Sequence, residues 1–345
     1  MPPMPPASST APLPAAARSP YHPYRSVLLP PHRVRALSEL RPGRAVLDTA
    51  LCWTIILGAW AVVGLHPAWW TVLLALPVIG TRYYALFIIG HDGLHRRVFA
   101  DRARNDLFTD LFLIGPLAAI TRLNNRNHLR HHLHLGSHED PDRHRHACFN
   151  KTDLHELFVF VVGASTILSS VRNVFVRRQP ADAHVLPEQA HDGYRARDAA
   201  IIIGWQVLLL GGLSLAIGWW AYPVLWLLPV YCFAYLGDNL RSFCEHSQAE
   251  SDDLADEHRL ITYRSSVVER WLVAPMNMNH HAAHHLWVSI PYYNLPSATA
   301  EMMRHPEAAS IEVRGSYLAY LARYALALPI DGCTATGSRP AVIGG

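Results

Sequence analysis

The sequence predicts an all-α integral membrane protein with four spanning helices arranged as two hairpins. Three observations carry that prediction. Apolar residues are collected in long blocks, arginines avoid the short gaps between paired blocks, and histidines cluster in the polar segments that follow. Half of the 345 residues are hydrophobic, yet the mean hydropathy is only +0.08, because strongly apolar and strongly polar stretches cancel. A soluble domain spreads its apolar residues at a helical or strand period, whereas a membrane protein gathers them in runs.

Residues 1–31 hold ten of the 25 prolines, interleaved with Ala and Ser. That composition excludes a helical period, so residues 1–44 read as a disordered tail and a short lead-in. The stretch lacks the apolar run of a signal peptide. Four apolar blocks follow, at 47–65, 68–90, 199–217 and 218–237, each close to the roughly 20 residues a spanning helix needs. Only His66-Pro67 separates the first two, and Gly218-Trp219-Trp220 joins the last two. Each pair therefore reads as a hairpin whose outer ends share one side of the bilayer. Trp69, Trp70, Trp219 and Trp220 fall at the turns, where an aromatic belt belongs. Neither turn contains Lys or Arg, whereas Arg33, Arg35, Arg41 and Arg44 precede the first hairpin and Arg96 and Arg97 follow it. The positive-inside rule then places both termini and residues 91–198 in the cytoplasm, as expected for a bacterial inner-membrane protein. Two shorter apolar stretches, 107–121 and 154–171, carry Asp110 and Glu156 and read as helices lying at the interface. Residues 301–328 read as C-terminal cytosolic helices and 329–345 as a second loose tail.

Composition also excludes several classes. A net charge of +3, with no basic stripe alternating with aromatics, argues against a nucleic-acid partner. Five cysteines without a C-x-x-C spacing suggest neither a disulfide framework nor a zinc ribbon. A soluble-type di-iron carboxylate bundle needs two E-x-x-H motifs; only Glu188-Gln189-Ala190-His191 fits, in a polar linker. Arg82 stands out inside the second block, where a charge is expensive. It either snorkels to the interface or pairs with an anionic group of the substrate.

The 22 histidines are the chemical signal. His91 and His95 form an H-x3-H directly after the second block. His128, His131 and His132 form an H-x2-HH, followed by Glu139-Asp140-Pro141-Asp142. His281, His284 and His285 repeat the pattern near the C-terminus, and Glu245-His246 lies nine residues past the fourth block. Spacings of three and four place ring pairs on one flank of a helix. All four clusters fall on the side of the membrane assigned from arginine alone. One H-x3-H arises by chance on any amphipathic helix, but three boxes on one face do not. Neutral imidazole suits zinc, copper, iron and nickel, and one ion takes four to six donors. Nine rings are too many for one ion and about right for two. His134, His138, His144, His146 and His280 read as supporting or solvated residues. Asp92, Asp140, Asp142 and Glu245 neighbour the nine and are candidates to accept the second ring N–H of a ligating histidine.

These boxes resemble those of the membrane fatty-acid desaturase/hydroxylase superfamily. HLRHHLHLGSHEDPD is similar to the family's second box, Asn239-Leu240-Arg241-Ser242-Phe243-Cys244-Glu245-His246 to its N-L-R-[ST]-x-x-E-H segment, and NMNHHAAHHLWVSIPYYNLP to its third box. The resemblance covers roughly residues 45–300. It implies a cytosolic helical cap on the four spans, holding two Fe ions on His91, His95, His128, His131, His132, His246, His281, His284 and His285. It further implies O2 as co-substrate, a lipid or fatty-acyl chain as substrate, and electrons from a ferredoxin or cytochrome-type donor with its reductase. No haem-binding or iron–sulfur segment is visible in the chain, so the donor is expected to be separate. Where relatives usually read H-H-L-F-P, this chain has His284-His285-Leu286-Trp287-Val288, with Ala283 in place of a common acid and His280 in place of a common Tyr. The expected reaction is introduction of a double bond; a hydroxylase or a carotenoid ketolase/hydroxylase would use the same boxes. A histidine-rich metal transporter would carry ligands at mid-membrane, and the four blocks contain no histidine.

Overall fold

The computed structural model describes residues 22–137, 139–146, 148, 151–163, 195–247 and 260–329. The tail before residue 22, the far part of the 154–171 stretch, His138, the Glu188–His191 motif and nearly all of the tail from 329 lie outside the described residues. Among the described residues, three helices are long and apolar enough to cross a membrane: Pro42–Leu65, Trp69–Leu94 and Ala196–Ala216. Their outer faces are those of a lipid-facing protein. Leu65, Trp69, Leu74, Val207, Leu215 and Trp219 are all more than half exposed, as apolar side chains remain when the solvent on that side is hydrocarbon.

The fourth apolar block is helical without a break from Ala221 to His246, but its ladder is not uniform. Pro223–Leu227 and Val230–Tyr235 form π-helical turns. Pro223 and Pro229 have no N–H to donate and crowd the preceding turn, so the hydrogen bonds slip to a wider spacing around them. The regular α-helix resumes at Leu236–His246. The lone Glu245-His246 is thereby carried on a rigid extension of the apolar block rather than on a separate loop.

The core lies where the second span meets its neighbours. Ile79, Tyr83, Leu86 and Ile89 are buried against Ile56, Val63, Leu225 and Trp226, and the rings of Tyr83 and Trp226 meet edge-on at 4.1 Å. Gly80 lets the fourth block approach, since a Cβ there would stand 2.4 Å from the ring of Phe233.

Three expectations need correction. Residues 22–31 are not all disordered tail: His22–Leu28 is a helix, and Leu28 and Leu29 are buried in one cluster with Leu135, Trp287 and Ile290. Long-range apolar packing thus orders a stretch whose prolines gave no helical period. Residues 107–121 do not form an interfacial helix. A short helix, Arg102–Phe108, gives way to a π-turn, Thr109–Leu113, and a 3-10 turn, Gly115–Leu117. This broken segment wraps the end of the second span, where Gly90 and Gly93 leave room for Ile114 and Thr109. Asp110 is buried and accepts the backbone N–H of Thr121, which starts the next helix. The fold is also not purely helical: strands β1 (Ile261–Tyr263) and β2 (Glu312–Arg314) pair in parallel, Ile261 opposite Glu312. That ladder ties the C-terminal segment to the chain just ahead of the third histidine box.

Candidate metal centre

Four helices deliver the rings. The second span ends at Leu94, so His91 sits in its last turn and His95 caps it. Thr121–His134 presents His128, His131 and His132; Leu236–His246 presents His246; the short helix His281–Leu286 presents the last three. Before that last helix, Met276 and Asn277 both take left-handed backbone angles, φ 53° and 62°. Such angles are uncommon for residues with a side chain, and here they turn the chain into the third box.

The structure brings all nine rings together, in two adjoining groups. His91, His95, His128, His132 and His284 each offer a ring nitrogen to a common space, all within 4.8 Å of one another; His131, His246 and His285 do the same beside them. His281 joins the second group, with its Nε2 2.9 Å from that of His246. The two groups touch where the His132 and His285 rings meet at 4.1 Å. Eight of the nine residues are buried and His128 is half-buried.

The donor set fits a cation. His128 Nε2 lies 2.8 Å from His95 Nε2 and 3.2 Å from His132 Nε2, which is itself 3.2 Å from His284 Nε2. Nitrogens this close set lone pair against lone pair unless a proton or a metal lies between them. Both ring nitrogens of His285 are buried with no hydrogen-bond partner, a costly state that coordination relieves. Burial, and then the like charge of neighbouring rings, holds His95, His128, His132, His281 and His285 well below the usual imidazole range. Burial, with Arg241 and His131, brings His284 to about 3. These six rings are therefore neutral near pH 7, the form that binds metal, whereas burial at His131 is outweighed by Asp140, which raises that ring above its ordinary value.

Of the four neighbouring acids, two touch the rings. Asp140 Oδ1 is 2.9 Å from His131 Nδ1, and its Oδ2 is 3.0 Å from His146 Nε2. The backbone N–H groups of Asp142 and Gly136 complete the carboxylate at 2.8 and 2.9 Å. Burial alone would raise Asp140, but His131 and His146 more than offset it and hold the carboxyl well below its ordinary range. Glu245 Oε2 lies 3.2 Å from His281 Nδ1, off the line of a full hydrogen bond. Asp92 goes elsewhere: its Oδ2 accepts the backbone N–H of Tyr292 at 2.7 Å. The carboxylate of Asp142 makes no hydrogen bond to any of the nine rings among the described residues.

His146, read from the sequence as supporting or solvated, is buried on Asp140 and so supports the centre. Three further supporting residues, Arg241, Tyr317 and Tyr84, were not singled out from the sequence. Arg241 donates to Glu245 Oε2 at 2.5 Å, to Asp238 at 2.8 Å and to the hydroxyl of Tyr84 at 2.9 Å. Tyr317 donates its hydroxyl to Glu245 Oε1 at 2.7 Å. Arg241 could have been read from its place four residues before Glu245 on one helix. Tyr317 lies 72 residues away and Tyr84 157 residues from Arg241, separations no local pattern spans.

Comparison with known families decides the class, because a family model described as "Fatty acid desaturase" matches residues 67–316. The chain belongs to the fatty acid desaturase family. The match takes in all nine rings of this desaturase-family centre, together with Asp140, Arg241 and Glu245. The chain is also similar to the sn-1 acyl-lipid omega-3 desaturase (ferredoxin) of Nostoc sp. (strain 36), at 25% identity over 236 residues. That match spans 64% of this chain and 64% of the relative. Trp287, one of the departures of this family member around the third box, is buried in a cluster with Leu28, Leu135, Leu286 and Ile290.

Proposed function

We propose that this protein is an O2-dependent desaturase that introduces a double bond into the acyl chain of a membrane lipid, using two iron ions. The observation that carries the reading is the convergence of nine histidine rings into two adjoining donor groups at the end of the membrane-spanning helices. His91, His95, His128, His132 and His284 would hold one iron, and His131, His246, His281 and His285 the other. Bound there, the pair of metals supplies the capacity to use O2 against an unreactive C–H bond. The balance is one CH2–CH2 unit, O2, two electrons and two protons in, and one CH=CH unit and two waters out.

The protein's own part is positional. Burial keeps His95, His128, His132, His281, His284 and His285 neutral near pH 7. Asp140 retains the proton on His131 Nδ1 and so leaves the Nε2 lone pair facing inward. Glu245, fixed by Arg241 and Tyr317, lies 3.2 Å from His281 Nδ1, off the line of a full hydrogen bond, and gives that ring a fixed negative neighbour. Four membrane crossings as two hairpins, with the centre and both termini on the cytoplasmic side of a bacterial inner membrane, give a soluble donor access. A ferredoxin-type donor fits the Nostoc relative, whose name carries ferredoxin. Metal analysis of the purified protein, with product analysis after supplying O2, reduced ferredoxin and lipid, tests the reading. Two irons per chain and a new alkene are expected. Zinc in place of iron, or no O2 consumption with any lipid, overturns it, and an alcohol product would reassign the enzyme as a hydroxylase.

A further inference from the structure

Arg82 has no role in the centre described above, and its surroundings give it one. It lies on the second span, nine residues before His91, and so about 13 Å along the helix from that ring at 1.5 Å per residue. It opens onto a cavity of about 640 Å³ whose wall includes three more arginines, Arg41, Arg44 and Arg270, with Trp271 and Tyr293. Arg41 and Arg44 flank the start of the first span, and Arg270 and Trp271 belong to the short helix Val267–Leu272. Four arginines thus line one cavity from three separate elements.

Their charge is poorly compensated. Arg44 pairs with Asp48 at 2.8 Å, and that carboxylate oxygen also accepts the hydroxyl of Tyr292. Arg41, Arg82 and Arg270 have no carboxylate partner among the described residues. Nε of Arg82 is buried without a hydrogen bond, and its guanidinium sits 5.6 Å from the ring centre of Trp271. Arg41 and Arg270 are exposed, but Arg82 is partly buried with its Nε unpaired, and a charge so placed beside hydrocarbon favours an anion in the cavity that the other arginines also line. Guanidinium forks match the oxygens of phosphate and sulfonate groups.

The position decides between a soluble anion and a lipid. The cavity opens beside Val267, Val268 and Trp271, which are 73%, 60% and 41% exposed. An apolar face of that kind on a short helix, next to the first turn of a spanning helix, belongs in the headgroup region of a bilayer. We infer that Arg41, Arg44, Arg82 and Arg270 form a site for the anionic, phosphate-bearing headgroup of a membrane lipid. The acyl chains of that lipid extend along the exposed face of the first two spans. The inference holds whichever bond the metal centre oxidises, and its test reads binding alone.

The test uses the full chain in nanodiscs made from equal parts phosphatidylglycerol and phosphatidylcholine, with native mass spectrometry of the lipids that stay bound. Wild type is expected to retain phosphatidylglycerol preferentially. Arg82→Gln and Arg270→Gln should each weaken that retention about tenfold, the loss of one charge-assisted hydrogen bond, while Arg270→Lys keeps part of it. Arg270 is exposed, so its variants report on binding even if Arg82→Gln fails to fold. Equal retention of the two lipids, or unchanged retention in Arg270→Gln, overturns the inference. Displacement of phosphatidylglycerol by millimolar inorganic phosphate would likewise overturn it, since the site would then be one for a soluble anion.

Discussion

Replacing Asp140 by Asn tests the centre at the point where geometry makes the sharpest demand. The carboxylate takes four donors: His131 Nδ1 and the Asp142 N–H on Oδ1, and His146 Nε2 and the Gly136 N–H on Oδ2. An amide has one accepting end. With its oxygen at the Oδ1 position, the His131 and Asp142 donors remain satisfied, and His146 can change tautomer to accept from the new NH2. The Gly136 N–H cannot adapt, and one buried unpaired donor costs about 1–3 kcal/mol. With the amide turned the other way, His131 must accept at Nδ1, which moves its proton to Nε2, the atom facing the second group. Either orientation also removes the negative charge that makes His131 a better donor to metal, a loss of about 10- to 100-fold in metal affinity for residues in this supporting role. Iron per chain by plasma mass spectrometry, titrated against a chelator, should therefore fall from two toward one. Thermal unfolding in detergent should shift downward alongside. A variant that keeps both irons at wild-type affinity with unchanged melting would refute the assignment of Asp140 as the group that orients His131.

Three further changes probe the frame around the centre. Gly93→Ala puts a Cβ 2.2 Å from Thr109 Oγ1, so the Thr109–Leu113 turn must move off the second span. A loss of about 1–3 kcal/mol with reduced iron loading is expected by chemical denaturation and metal analysis. Glu269 accepts from Ser316 Oγ at 2.5 Å and from the backbone of Leu318 at 3.0 Å. Although partial burial opposes it, these bonds hold its carboxyl below the ordinary value of 4.5. Its stabilising effect is therefore complete above about pH 4.5 and disappears as pH falls through the lower folded-state value. Glu269→Gln should accordingly melt lower than wild type at pH 7 and approach it in acid; a constant offset across that range would count against the role. Tyr317→Phe removes the hydroxyl on Glu245 and should cost about 1 kcal/mol, with a shift in the spectroscopic signature of the bound metal that a purely structural loss would not produce.

The sequence alone identified three of the long apolar helices, the four polar clusters and all nine rings that the structure gathers, because each is a local property. Apolar runs are read residue by residue, and a spacing of three or four fixes a helix flank whatever the fold. It did not foresee the π-turns at Pro223 and Pro229, the broken segment at 109–117 or the small parallel sheet, which follow from contacts with distant chain. Nor did it divide the rings between two groups. On a helix, residues four apart differ by about 40° while residues three apart differ by about 60° in the opposite sense. His128 and His132 therefore face one way and His131 the other; His281 and His285 face one way and His284 the other. The second and third boxes each feed both groups while His91 and His95 serve one, so neither group is complete until helices far apart in sequence are packed together. Tertiary structure alone also decided which acids serve the rings. Asp92 is the immediate neighbour of His91 and still turns to Tyr292, whereas Asp140 reaches His131 across a turn. Adjacency in sequence sets no direction for a side chain, and packing does.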